Sequence, residues 1–251
     1  MRVCLPTLFL FLCLQGFSAD SQLVVDRGLP QSNLNNVSGA ARSNVRWGND
    51  GFIGDDFTIG AAGEHWVIDS IRTWTVPGGA GDILAHLGDY YQDVRLYFGR
   101  NDVTPVSTGQ LTPGSDETTN ANIRASDASQ NGTLLYDDFG TPLHVWQIDF
   151  TNLNLPAEGG VKYSFGVWGN GRPVPGTDDK VFTWYNHASN ASLSGGKQDG
   201  ADGTLLIFDA AGRLQNTHET QSNGWDKNSD INVQVFAHRV DSQQTSKASA
   251  K

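Results

Sequence analysis

Alternation of apolar and polar residues with a period of two is the feature that most constrains the fold of this chain. Between positions 161 and 168 every second residue is apolar: Val161, Tyr163, Phe165 and Val167. The same alternation runs through residues 231–238. Successive side chains of a β-strand point to opposite faces, so this pattern predicts strands that bury one face.

Eight further segments are rich in β-branched or aromatic residues and are bounded by turn residues. They are Gln22–Asp26, Asp55–Ile59, Trp66–Val76, Asp93–Phe98, Thr133–Phe139, Leu143–Phe150, Lys180–Asn186 and Thr204–Asp209. About ten short strands with turns between them predict an all-β fold, an antiparallel two-sheet β-sandwich or jelly roll. Asp82–Tyr91 predicts a short helix or an ordered loop, and the polar stretch 103–131 predicts a long loop across the sandwich.

Residues 1–19 have the organisation of a secretory signal peptide. An apolar stretch, Leu5–Leu14, is followed by small residues up to Ala19, and it is shorter than the roughly 20 residues that span a membrane. We therefore expect cleavage after Ala19 and a secreted, extracellular protein. Both cysteines, Cys4 and Cys13, lie in this leader, so the mature protein would have no disulfide and would depend on a large core, on bound metal ions, or on both.

The rest of the chain predicts one domain. No linker and no internal repeat divides residues 20–240, which we expect to form a single β-sandwich domain. Residues 241–251 are polar, and they predict a disordered tail. Three Asn-x-Ser/Thr sequons, at Asn36, Asn131 and Asn190, would carry glycans only if the source is a eukaryote.

Charge and hydropathy narrow the class of partner. The formal net charge is −10, which disfavours nucleic acid, because binding to it depends on Lys and Arg neutralising phosphates. No segment after the leader is apolar enough to span a membrane. We therefore expect a glycan or another extracellular ligand as the partner.

Three segments together are similar to a pattern of secreted bacterial β-sandwich modules. They are Gly54-Asp55-Asp56-Phe57-Thr58, Trp66-Val67-Ile68-Asp69-Ser70-Ile71 and Asp93-Val94-Arg95-Leu96-Tyr97. The function of such modules is largely uncharacterised, so the resemblance implies a fold and export from the cell. It assigns no catalytic residue.

One acidic segment near the end of the chain has oxygen-bearing side chains at alternate positions. These are Asp226, Asn228 and Asp230. Calcium prefers such oxygen ligands, so we expect a calcium site here, completed by Asp55 and Asp56, by Asp178 and Asp179, or by Asp199 and Asp202. An EF-hand is excluded, because Ile231 and Ala237 stand where that loop needs Gly and Glu. The alternative is that these residues form turns through hydrogen bonds to their own backbone.

The aromatic residues favour a carbohydrate-binding module. Sugar rings pack their C–H faces on aromatic side chains, and polar groups beside them bind the hydroxyls. The candidate ligand-binding residues are Trp168, Trp184, Tyr185, His187 and Trp225. Trp184 and Tyr185 are neighbours on one predicted strand, so one of the two should point outward. The alternative for each tryptophan is packing within the core.

Two other classes of function stay open. A polysaccharide-degrading jelly-roll enzyme would be a glycoside hydrolase with paired carboxyl groups or a lyase with a Tyr or His base. Candidates for the lyase are Arg95, Tyr97, His144, Gln147, Tyr185, Asn186 and His187. Asp149 and His144 fall on opposite faces of their strand, which disfavours a local acid–base pair. The third class is a structural extracellular protein.

Overall fold

The computed structural model describes residues 20–28, 43–45, 51–78, 84–128, 136–138, 141–178, 180–189, 202–219 and 230–240. The predicted leader, the tail and the three sequons lie outside these ranges. Trp225, Asp226 and Asn228 also lie outside them, so the predictions for these three residues are not addressed by the fold.

The described residues form seventeen strands and one short helix. In chain order these are β1 (Gln22–Asp26), β2 (Ser43–Val45), β3 (Gly51–Thr58), β4 (His65–Gly78), α1 (Leu87–Tyr90), β5 (Asp93–Gly99), β6 (Val103–Gln110), β7 (Ile123–Asp127), β8 (Tyr136–Asp138), β9 (Thr141–Leu143), β10 (Trp146–Phe150), β11 (Leu155–Glu158), β12 (Lys162–Trp168), β13 (Thr183–Ser189), β14 (Thr204–Asp209), β15 (Leu214–Glu219), β16 (Asp230–Ile231) and β17 (Val233–Arg239). All their pairings are antiparallel.

A nine-stranded sheet is organised around β4, which is 14 residues long. One side of β4 pairs with β17 and then with β13, and the other side pairs with β11 and then with β10. Beyond these, β1 pairs with β17, β7 with β10, and β2 and β16 with β13. The long central strand thus holds two partner strands in succession along each of its edges.

A six-stranded sheet, in the order β15-β14-β3-β12-β5-β6, forms the second layer. Gly54 and Gly166 are directly opposite each other in this sheet. A Cβ atom on Gly54 would lie 2.6 Å from the ring of Phe208, and one on Gly166 would lie 2.6 Å from the ring of Phe52. Only glycine therefore lets these two rings lie against the sheet.

The core lies between the two sheets and is rich in aromatic rings. A single cluster of buried apolar side chains contains Ile68 and Trp146 from the nine-stranded sheet and Phe57 and Phe165 from the six-stranded sheet. Burial of this apolar surface is the main stabilising term. The predicted all-β sandwich of two antiparallel sheets is confirmed.

One prediction about local structure is wrong. The stretch 103–131 contains β6 and β7 rather than one long loop. Both strands lie at sheet edges and bury few side chains, so their sequences carry little apolar alternation. In the predicted segment Asp82–Tyr91, of which residues 84–91 are described, the structure has a short helix, α1. The strands β2, β11 and β15 were not predicted either, because they are short or mostly polar.

Across the described ranges, no helix has the length and the apolar character that crossing a membrane would require.

Candidate functional site

Trp168, one of the predicted ligand-binding residues, lies on the outer face of the six-stranded sheet. It shares this face with Lys162, as the alternation along the strand predicted, but only 7% of it is exposed. Its ring is parallel to that of Phe52, with centroids 6.1 Å apart. The guanidinium of Arg95 lies 5.2 Å from the centroid of its ring. The indole is therefore used in packing and presents little surface to a ligand.

The other predicted residues are divided between the two sides of β13. Trp184 is 2% exposed and points between the sheets, where its Nε1 donates a hydrogen bond of 2.9 Å to Oδ1 of Asn186. His187 is also buried. Tyr185 is half-buried and packs beside Trp74 on the outer side of the nine-stranded sheet. One of the pair Trp184 and Tyr185 does point outward, as predicted, but the described residues do not form one binding surface.

The outer face of the nine-stranded sheet carries a row of polar side chains, which we call the polar row. In register across β7, β10, β4, β17 and β1, it consists of Arg124, Asp149, Arg72, Gln234 and Asp26. The two end residues are exposed, Arg72 and Asp149 are half-buried, and Gln234 lies beneath its neighbours. Residues directly opposite on antiparallel strands are close enough to interact, so this row is a continuous polar band.

Hydrogen bonds fix four of the five side chains of the polar row, those of Asp149, Arg72, Gln234 and Asp26. Nε of Arg72 donates to Oδ1 of Asp149 at 2.5 Å, and Nε2 of Gln147 donates to the other oxygen at 2.8 Å. Nη1 of Arg72 lies 3.5 Å from Oε1 of Gln234, whose Nε2 donates to Oδ1 of Asp26 at 3.0 Å. Side chains held in this way lose little further rotamer entropy when a ligand binds.

An apolar strip lies along one side of the polar row. Leu23 on β1 is opposite Phe236 on β17, and 43% of Leu23 is exposed. The guanidinium of Arg72 lies 5.7 Å from the centroid of the Phe236 ring. On the other side of the row, Gln147 is opposite the buried Trp74. The open face therefore combines donors, acceptors and apolar contact area.

Sequence reasoning did not find the polar row, because its members are far apart in the chain. Each of them occupies the polar position of an alternating strand, which alone indicates only a solvent-exposed face. The register of five strands is needed to place them side by side. Asp149, a member of the row, and its neighbour Gln147 were considered from the sequence only as candidate catalytic residues.

A buried ionic cluster joins the two sheets at Arg27, next to the end of β1. Both Arg27 and Asp55 have fully buried side chains, and Nη1 of Arg27 lies 2.7 Å from Oδ2 of Asp55. Nη2 of Arg27 donates to the backbone oxygen of Asp56. The Asp55 carboxylate also accepts the backbone N–H groups of Asp56, at 2.7 Å, and Ile231, at 2.6 Å. Arg27 thus supplies the positive charge that pairs with the Asp55 carboxylate.

The predicted calcium ligand Asp230 belongs to the same cluster. Its Oδ1 accepts the backbone N–H groups of Asp202, at 3.1 Å, and Gly203, at 3.0 Å. Its Oδ2, like Oδ1 of Asp56, has no hydrogen-bond partner among the described residues. No three His, Cys, Asp or Glu side chains in the described ranges are arranged to hold a metal ion. The described residues alone do not form the predicted calcium site, which stays a prediction.

Burial controls the protonation of the two adjacent carboxyl groups. It raises the pKa of Asp55 well above the ordinary value of 3.8, and the attraction of Arg27 opposes this rise without cancelling it. Burial also raises the pKa of Asp56, although Nζ of Lys162 lies 3.0 Å from its Oδ2. The folded protein therefore binds these protons more tightly than the unfolded chain.

This upward shift of the pKa predicts how Asp56→Asn changes stability with pH. When folding raises the pKa of a carboxyl group, the folded protein becomes less stable as the pH rises through the pKa of that group in the folded state. Asparagine cannot ionise, so the free energy of unfolding of Asp56→Asn minus that of the wild type should increase from about pH 4 to about pH 7. Urea unfolding at several pH values measures it. A difference that stays constant or decreases would contradict the assignment.

A second group of titratable residues lies at the end of the sandwich near α1. Nδ1 of His144 lies 2.6 Å from Oδ2 of Asp127, whose side chain is only 4% exposed. Beside them, Oδ1 of Asp116 accepts the indole N–H of Trp146 at 3.2 Å. Nδ1 of His86 lies 3.6 Å from the other oxygen of Asp116. As predicted, His144 is separated from Asp149, which faces outward.

The structure does not bring the candidate lyase residues into one cleft. Arg95 and Tyr97 are on the outer face of the six-stranded sheet, since they are opposite Trp168 and Gly166. His144 is at the end of the sandwich, and Gln147 is on the outer face of the other sheet. A base and a group that neutralises the substrate carboxylate must touch the same substrate. Arg95 and Tyr97 share one face, but only 3% of Tyr97 is exposed. Gln147 and Tyr185 share the outer face of the nine-stranded sheet, and His144 lies apart from both pairs.

Comparison of the chain with known proteins gave no relative. No protein family, no curated protein and no solved structure matches it. Function is therefore inferred from the geometry alone.

Proposed function

We propose that this chain is a secreted, non-catalytic binding module and that a glycan or similar extracellular ligand binds on the outer face of its nine-stranded sheet. The observation that carries the proposal is the polar row, Arg124, Asp149, Arg72, Gln234 and Asp26, with the apolar strip beside it. Sites for small polar ligands generally combine apolar walls with a few placed polar groups.

The chemistry of the row suits hydroxyl groups. Each sugar hydroxyl both donates and accepts a hydrogen bond. The row offers donors on Arg72 and Arg124 and acceptors on Asp149 and Asp26. Leu23 and Phe236 supply apolar area for the C–H face of a ring. The division of the candidate catalytic residues among separate surfaces favours binding over catalysis.

A panel of polysaccharides tests the proposal. We expect the protein to be retained by at least one of them in affinity electrophoresis, with no new reducing or unsaturated ends after long incubation. New ends would favour the enzyme class instead. Failure of every polysaccharide to retain the protein would contradict the proposal and favour a structural role.

The variant Gln147→Ala locates the surface. It removes the amide that holds Asp149 in place, and we expect affinity to fall about three- to tenfold, because Asp149 then loses rotamer freedom when a ligand binds. Gln215→Ala, on the exposed edge strand β15, is the matched control and should bind like the wild type. Equal retention of both variants, with unchanged thermal melts, would exclude this face as the binding surface.

A further inference from the structure

We infer that the ligand is a neutral, linear oligosaccharide that lies across the strands, along the polar row. This inference rests on the proposed function and names the class and direction of its ligand. It is drawn from the register, the charge sequence and the internal hydrogen bonds of the row.

The register of the strands gives the length and the direction of the polar row. The five residues of the row are on five adjacent strands, each in register with the next. Neighbouring strands are about 4.8 Å apart, so the row is about 19 Å long and runs perpendicular to the strands. Several linked sugar rings are needed to span this length, whereas a monosaccharide would contact only two or three of the row residues.

The charges disfavour an anionic ligand. Along the row the formal charges are positive on Arg124, negative on Asp149, positive on Arg72, absent on Gln234 and negative on Asp26, so they sum to zero. A polyanion would meet two carboxylates on the row and the field of a chain with net charge −10. Like-charge contacts of this kind are costly for binding.

The hydrogen bonds within the polar row also favour a neutral ligand. A ligand carboxylate at the centre of the row would need a free arginine fork for the strong bidentate contact. Arg72 already donates through Nε to Asp149 and faces Gln234 through Nη1. Hydroxyl groups make single hydrogen bonds, so they can bind at the remaining donor and acceptor positions without breaking this network.

The apolar strip identifies the end at which a ring stacks. Leu23 and Phe236 are on β1 and β17, at the end of the row that contains Asp26. Ring-face contact is therefore expected at this end, and contact through hydrogen bonds alone at the end that contains Arg124. A ligand that reaches both ends should lose affinity when either one is altered.

A series of oligosaccharides of increasing length tests the inference by calorimetry. The probes are cello-, manno- and xylo-oligosaccharides from the disaccharide to the hexasaccharide, with oligogalacturonates of equal length as anionic counterparts. For at least one neutral series we expect affinity to rise at least tenfold from the disaccharide and then reach a plateau. The oligogalacturonates should bind at least tenfold more weakly.

Variants at the two ends of the polar row test whether the oligosaccharide lies along it. Arg124→Ala and Leu23→Ala should each lower affinity for the hexasaccharide three- to tenfold, whereas Gln215→Ala should leave it unchanged. Equal affinity for disaccharide and hexasaccharide would overturn the inference and leave the proposed function standing. Tighter binding of oligogalacturonates would overturn the neutral class. If no probe binds and the polysaccharide panel also fails, both the inference and the proposed function are contradicted.

Discussion

Arg27→Met is expected to lower the free energy of unfolding by about 3–5 kcal/mol, the usual cost of breaking a buried ion pair by removing one partner. Methionine keeps much of the volume of the side chain but leaves the Asp55 carboxylate, which is fully buried, without its cation. The backbone oxygens of Asp56 and Ile231 also lose a donor. Urea unfolding monitored by tryptophan fluorescence measures the change.

Two comparisons make this prediction specific. Arg239→Met removes a mostly exposed arginine from its ion pair with Glu64 and should have a far smaller effect, since exposed pairs contribute little. In Arg27→Met combined with Asp55→Asn no uncompensated carboxylate remains at this position. The free energy of unfolding that this double variant loses should therefore be smaller, by about 0.5–3 kcal/mol, than the sum of the losses of the two single variants. A loss below about 1 kcal/mol for Arg27→Met would show that the pair is not buried as described.

Trp146→Ala is expected to cost about 3–5 kcal/mol, as truncation of a large buried aromatic residue usually does. Trp146 is fully buried, and its ring and that of Tyr90 are in edge-to-face contact, with centroids 5.5 Å apart. Its N–H donates to Asp116, which also accepts the backbone N–H of Leu87 at 2.6 Å. The cavity would therefore affect both the core and the start of α1.

Trp146→Phe separates the packing contribution from the hydrogen bond. Phenylalanine fills much of the cavity but cannot donate to Asp116, so the loss should be about 1–3 kcal/mol and smaller than for alanine. Phe236→Ala, a half-buried aromatic residue on the outer face, should cost less than Trp146→Ala. Equal losses for Trp146→Ala and Phe236→Ala would contradict the assignment of Trp146 to the core.

The buried ionic cluster shows where sequence reasoning succeeded in part. The sequence placed Asp230 in an oxygen-rich segment and proposed Asp55, Asp56 and Asp202 among the residues that could meet it. The structure brings these four side chains into one cluster. It also inserts Arg27, which no pattern in the sequence had indicated, and this arginine forms an ion pair with Asp55.

The candidate binding surface shows the opposite case. Trp168 and Trp184 were selected because aromatic residues bind sugars, but aromatic residues also fill the cores of sandwiches, and composition cannot distinguish the two uses. Their burial became evident only from the packing of both sheets. Arg72 and Gln234 carried no signal as single residues, since polar positions in alternating strands are common.

The sequence by itself determined the fold class, because the period of two is a local property of each strand and requires only that one face be buried. It also located most of the core strands, whose alternation is strong. Only the tertiary structure decided which polar residues are neighbours. That depends on strand register and on the order of strands in each sheet, which are set by contacts between residues far apart in the chain.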